Sequence, residues 1–342
     1  MRLCVGTAKG IVLLDLTRGG TPLLALADPA SVWCMAQDCT QPEVIYAGSI
    51  NNLQAGSARG KSSLARSSDG GRSWHDITPR NARDEEVWAV AAAPDVPGQL
   101  FVGTSHARLF RSDDGGHSFY ECTSFLKMPG RERWGFAQSP HIPHIRTIAF
   151  DPVQPDTIYV GVEEGGVYRS RDRGASFEPA NHSIPSDVHC LLVDPNDSQR
   201  IYATTGRGLY VTGDGGMSWR LAKGLSRTYA IPLMVGRGQQ GAVYTAAAAG
   251  PPPTWAVGAA GADARVFCSC DSGESFRTLL ADGSFSHTTR GMVMRMREDL
   301  AGAVLGALSD GGLIRIEGDE RTLSRIGDKL PPTYDFVALP DP

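Results

Sequence analysis

The chain has 342 residues, with 33 Lys and Arg against 37 Asp and Glu, a formal net charge of −4 and 41% hydrophobic residues. Without a basic block it has no bulk electrostatic attraction for nucleic acid or an anionic membrane, and no apolar run reaches membrane-spanning length. Seven cysteines, an odd number with no C-x-x-C spacing, argue against a disulfide framework and for a reducing, cytoplasmic setting.

The chain opens on three predicted strands, residues 2–6, 10–16 and 22–26, interrupted by Lys9 and Asp15. That start lacks the apolar centre of a secretory signal. From there an eight-residue pattern, S/T-x-D-x-G-x-S-W/F, occurs five times, at residues 67–74, 112–119, 170–177, 212–219 and 269–276. In each copy the Asp can accept hydrogen bonds from backbone N–H groups of a tight turn, and the Gly two residues on permits a positive φ. The closing Trp or Phe begins the next strand and turns its ring into the core. Alternating runs such as residues 166–170 precede each turn, so the pattern closes a hairpin.

These five copies resemble the Asp-box, or BNR repeat, of sialidases, sortilin-type receptors, xyloglucan-degrading glycosidases and photosystem II assembly factors. The resemblance covers residues 30–283 and implies a β-propeller. It also implies a structural role for the repeated Asp and Ser, because in those families the hairpins sit on the rim opposite the binding face.

Each repeat divides into four strands, for the fourth copy residues 188–193, 200–204, 208–212 and 218–222, with Asp-Pro turns such as Asp151-Pro152 and Asp194-Pro195 joining the first two. A further unit without the motif has strands near 292–297, 304–308, 313–317 and 323–326. The three N-terminal strands lack an inner partner, and residues 334–339 form a lone strand that can supply it. Joined, they close a ring and remove its sheet edges. The expectation is a single all-β domain, a seven-bladed propeller with four-stranded antiparallel blades at 1–28 plus 333–342, 29–80, 84–127, 144–182, 186–225, 227–283 and 287–330. Such a ring can be a monomer.

Three segments exceed the repeat, residues 49–61, 128–143 and 246–263, and propeller connectivity gathers all three over one mouth of the channel. Aligning the inner strands places Ser31, Glu86, His144, Asp187, Tyr229, Arg290 and Tyr334 at that mouth. Two residues deeper come Trp33, Trp88, Arg146, His189, Ile231, Met292 and Phe336. One reading is structural, with Arg146 paired to Glu86 or Asp187. The other is a site in which Glu86 and Asp187 act as acid and base, with His144, His189 or Tyr229 as further catalytic candidates. Arg146, Arg290, Trp33 and Trp88 would bind the ligand, joined by Arg133 and Trp134 from the second insertion. A divalent metal held by His141, His144, His189 and Asp187 is an alternative occupant.

The sialidase activity that the repeat suggests is disfavoured: no F/Y-R-I-P element is present, those enzymes have six blades, and Arg146 with Arg290 does not complete an arginine triad. The xyloglucan-degrading enzymes share seven-bladed modules but pair two of them around a cleft. The leading expectation is a lidded polar pocket for a small or carbohydrate-like ligand, with hydrolase, lyase or isomerase chemistry. The competing one is a non-catalytic scaffold that engages a peptide or protein over the same rim.

Overall fold

The computed structural model describes residues 1–18, 21–51, 63–236, 242–255, 260–280, 288–299, 301–317, 322–327 and 330–340. They form seven four-stranded antiparallel sheets. Blades 1 to 6 follow in chain order, with inner strands Val32–Gln37, Val87–Ala92, Ile145–Phe150, Val188–Asp194, Tyr229–Val235 and Val293–Glu298. Blade 7 takes its inner strand, Thr333–Leu339, from the C-terminus and its other three, Arg2–Thr7, Gly10–Asp15 and Thr21–Leu26, from the N-terminus. The two ends of the chain therefore close the ring as the strand count requires. No helix of the described residues is long and apolar enough to cross a membrane.

The core is divided among the seams. Strand side chains alternate between the two faces of a blade, and each face packs against a neighbouring blade. Tyr46, Phe110, Val87 and Leu100 fill the seam between blades 1 and 2, and Phe101, Phe125, Ile145 and Tyr168 the one between blades 2 and 3. Leu3, Val5 and Phe336 of blade 7 meet Leu305, Ala307 and Leu313 of blade 6. Asp335, fully buried, ties this closure to both neighbours: it accepts a hydrogen bond from the Met35 amide of blade 1 at 2.8 Å and pairs with Arg297 of blade 6 at 3.0 Å.

The five repeated turns share one geometry. In the third copy Ser170 Oγ donates to Asp172 Oδ1 and accepts from the Gly174 amide. Asp172 also receives the Ser176 amide and, at 2.5 Å, the Ser176 hydroxyl. Gly174 has φ +87°, the positive value that this Gly was expected to supply. The tight turn uses up most of the following strand. Outer strands after these turns are two residues long, as at Arg220–Leu221, whereas blade 6 keeps six residues, Thr322–Gly327.

At the other end of the inner strands lies a feature absent from the sequence reading, a β-bulge in every blade. The register skips Trp33, Trp88, Arg146, His189, Met294 and Tyr334, and in blade 5 both Ile231 and Pro232. A bulge re-aims a side chain away from the regular alternation. Here the re-aimed side chains of blades 7, 1, 2 and 3 meet one another in the channel. Two sequence placements shift against this common register. In blade 6 the equivalent positions are Met292 and Met294, so Arg290 lies ahead of the strand and is exposed. In blade 7 Tyr334 occupies the deeper, bulged position, and Phe336 is buried in the seam with blade 6. The Asp five residues beyond the bulge, Asp38, Asp151, Asp194 or Asp299, caps the following turn through its side chain in each of four blades. Asp299, like Asp38, is not followed by Pro, so a search for Asp-Pro pairs finds neither turn.

Candidate functional site at the ring of bulges

One side of the ring is aromatic. Trp33 lies 4.9 Å from Tyr334 and 5.2 Å from Trp88, centroid to centroid. Arg146 spans the channel to cover these rings, its guanidinium carbon 4.7 Å from the Trp33 centroid and 5.9 Å from that of Trp88. This is the geometry in which a cation is held by an aromatic quadrupole. Trp88 also stacks on His144 at 3.7 Å, and Phe136 closes on the same imidazole edge-on at 4.7 Å.

The other side is polar. His144 Nε2 lies 2.8 Å from Glu163 Oε2, and Arg146 Nε reaches the same oxygen at 3.1 Å in an ion-pair contact. Glu163 is buried. Burial raises its pKa, but the charge and hydrogen bond of His144, with Arg146 and His189 nearby, outweigh that and hold the carboxyl down to about 2. In blade 4, His189 Nε2 lies 3.1 Å from Asp187 Oδ1, and its Nδ1 lies 2.6 Å from the Ala230 carbonyl. Burial pulls that imidazole down, and the Asp187 hydrogen bond with the charges of Asp187 and Glu163 more than offsets it, leaving the pKa raised. One ligand atom from each of Glu163, Asp187 and His189 lies within 4.8 Å of the others, the one such group among the described residues. Tyr229, 4.7 Å from His189, and Trp255 beyond it wall this half. Burial, then Glu163 and Asp187, push the Tyr229 hydroxyl pKa upward.

The predicted residues thus divide. Trp33, Trp88, His144, Arg146, Asp187, His189 and Tyr229 come together at the ring. Glu86 stands at its edge, accepting from Trp88 Nε1 at 3.0 Å and from the Asn51 amide at 2.7 Å. Asp187 finds its carboxylate neighbour in Glu163 instead, and Arg146 pairs with Glu163 rather than with Glu86 or Asp187. The metal set of His141, His144, His189 and Asp187 is not assembled: His141 is exposed and bonded to the Phe136 carbonyl, and His144 Nε2 is engaged by Glu163. Arg133 points to solvent, its side chain 81% exposed. Trp134 packs between Phe125 and Tyr168, donating to the Tyr168 hydroxyl at 2.8 Å, while Arg131 anchors the same loop on the His106 and Ala107 carbonyls. Of the three insertions, residues 52–61 of the first and 256–259 of the third lie outside the described residues.

Sequence reasoning missed Glu163 and Glu164. They occupy the turn between the second and third strands of blade 3, Ile158–Val162 and Gly166–Ser170, on the same rim as the bulges. Two adjacent acids in a turn completed by Gly165 were the available signal. The negative charges of Asp187 and Glu163, added to the larger effect of burial, raise the Glu164 pKa.

No family model matches the chain. A xyloglucanase of Hypocrea jecorina is 25% identical over 262 residues, covering 75% of this chain and 27% of that protein. A probable oligoxyloglucan-reducing end-specific xyloglucanase of Neosartorya fischeri is 31% identical over 156 residues, 41% of this chain and 17% of that one. The chain therefore spans about a quarter or less of the length of these curated relatives. Among solved structures, the GH74 xyloglucanase of Xanthomonas campestris superposes with a TM-score of 0.66 at 18% identity, covering 94% of this chain and 52% of that one. YCF48 of Cyanidioschyzon merolae gives 0.58 at 12% identity over 91% and 90%, and YCF48 bound to D1 peptide 0.58 at 16% over 91% and 86%. The chain is a seven-bladed β-propeller resembling the GH74 xyloglucanases and the YCF48 propellers.

Proposed function

We propose that the ring of bulges binds a small carbohydrate-like ligand and acts on it by acid–base chemistry of the hydrolase type. The observation that carries this reading is the convergence of carboxylates and imidazoles from blades 3 and 4 against aromatic faces from blades 1, 2 and 5. Sugars present polar edges and apolar faces, and the site offers a partner for each. Asp187, about a third exposed, and Glu164, half-buried, are the acids open to a ligand, whereas Glu163 is occupied by His144 and Arg146. In this reading Asp187 and Glu164 carry the proton transfers, and Trp33, Trp88 and Tyr229 supply stacking surface. The xyloglucanase relatives support the choice of ligand class. The seven cysteines, an odd number of which five are buried, support a reducing compartment.

Calorimetric titration with xylogluco-oligosaccharides, paired with a reducing-end assay, tests the reading. Saturable binding that Asp187→Asn abolishes is expected, and its absence across neutral, acidic and basic oligosaccharides would end it.

A second reading, a peptide-binding scaffold, is favoured by one observation. The two YCF48 structures match this chain over 86% and 90% of their own length, as single rings, whereas the Xanthomonas xyloglucanase matches over 52%. Peptide capture at the same rim without turnover would select it.

A further inference from the structure

We propose that Glu163, Asp187 and His189 hold a divalent transition-metal cation of the zinc class at the ring of bulges. The inference begins with the hydrogen positions on His189. A carbonyl oxygen can only accept, so the 2.6 Å contact between His189 Nδ1 and the Ala230 carbonyl fixes the ring proton on Nδ1. In the neutral ring Nε2 then presents a bare lone pair. That lone pair faces an acceptor, Asp187 Oδ1, at 3.1 Å, beside the buried Glu163. Two acceptors in this arrangement repel unless a positive charge lies between them.

A metal ion satisfies the geometry in three respects. A histidine that donates its distal N–H to a backbone carbonyl is held in the orientation and tautomer of a metal ligand. Two ligand atoms on a tetrahedral zinc, with bonds of ~2.1 Å, stand roughly 3.4 Å apart. The Asp187–His189 separation of 3.1 Å is close to that, and Glu163 contributes a third atom within 4.8 Å of both. Glu163 Oε2 is taken by His144 and Arg146, while Oε1 makes no hydrogen bond among the described residues.

Charge points the same way. The carboxylates of Glu163, Asp187 and Glu164 all act on Tyr229, with the Arg146 guanidinium opposing them. A nitrogen ligand with two carboxylates suits zinc or manganese better than magnesium or calcium, which favour all-oxygen sets. Three protein ligands would leave a coordination position open toward the channel. This set differs from the one the sequence suggested, since Glu163 replaces His141 and His144. It shares Asp187 with the ligand reading, and the zinc titration, made without oligosaccharide, tests it separately.

The test uses the full chain with the exposed Cys39 and Cys270 changed to Ser, so that thiol-bound zinc is not counted. After EDTA treatment and dialysis, Zn²⁺ alone is titrated calorimetrically and bound metal is measured by elemental analysis. One equivalent bound is expected, with a concentration-dependent rise in Tm. Glu163→Gln and Asp187→Asn, both near-isosteric, should weaken binding by about a hundredfold or more, with circular dichroism reporting that each folds. Undiminished zinc affinity in both folded variants would overturn the proposal. So would absence of stoichiometric zinc together with a nitrogen NMR signature of His189 protonated on both nitrogens at neutral pH, which would make a proton the charge between the acceptors.

Discussion

The guanidinium of Arg146 in blade 3 lies over the ring of Trp33 in blade 1, reaching past the whole of blade 2 to do so. The contact is made because both residues are bulged out of their strands toward the channel. Arg146→Met removes this cation–π contact and one of the two side chains that pair with Glu163. A loss of about 3–5 kcal/mol is expected, the range for breaking a buried pair. Urea unfolding followed by tryptophan fluorescence reads it directly, and an unchanged midpoint would show that the pair contributes nothing net.

Frame and site separate by substitution. Asp172→Ala deletes an acceptor for two hydroxyls and an amide in a turn far from the ring. It should cost about 1–2 kcal/mol of stability and leave oligosaccharide binding intact. Asp187→Asn should show the reverse pattern. If the two variants differ only in stability and both bind like the wild type, the ring is structural.

Acid should loosen the turns. Hydrogen bonds from the Ser269 and Ser275 hydroxyls and the Ser275 amide hold the Asp271 carboxyl near 2. At Asp114 and Asp214 equivalent bonds overcome the opposing effect of burial to reach about 2. A folded-state pKa below the unfolded value of about 3.9 means that the stabilisation is complete above that value and is lost as pH falls toward 2. Stability measured by urea from pH 7 to pH 2 should decline in that window. The triple variant Asp114→Asn, Asp214→Asn, Asp271→Asn should start lower and decline less.

Gly206 is small for a reason that involves the site. A Cβ there would lie 2.2 Å from Asp187 Oδ2, so Gly206→Ala must displace that carboxylate. A shift of about 1 Å is expected to weaken ligand binding ten- to a hundredfold while the far-ultraviolet spectrum stays unchanged. Calorimetric titration of the variant checks this, and wild-type affinity would remove Asp187 from the binding surface.

Ring closure should depend on Asp335. Its carboxylate joins the last strand to the Met35 amide on one side and to Arg297 on the other. Asp335→Ala leaves Arg297 without that partner and should cost about 3–5 kcal/mol, seen as a lower unfolding midpoint. Limited proteolysis should then cut first between blades 6 and 7.

Much of this architecture was legible in the sequence because it is local. An Asp, a Gly and a hydroxyl within eight residues close a hairpin through contacts between near neighbours, and alternation over a strand fixes which faces enter a seam. Blade number followed from counting strands, and the split seventh blade from a missing partner at each end. The ring was legible only in part. Trp33, Trp88, Arg146 and His189 stand where inner-strand alignment puts them, but Arg290 and Tyr334 do not, because in blades 6 and 7 that alignment is two residues out of register.

What only the tertiary structure decided is which charged groups meet. Glu163 lies 24 residues before Asp187 in sequence, yet the stacking of blade 3 on blade 4 brings its carboxylate beside the Asp187–His189 pair. Arg133 and His141, in a loop chosen for its length, turned to solvent, while Trp134 was drawn into a neighbouring apolar cluster. Hydrogen-bonded turns and alternating strands are specified by interactions along the chain. A site assembled across blades is set by the ring's curvature and by the aim of each bulge, which depend on all seven blades at once.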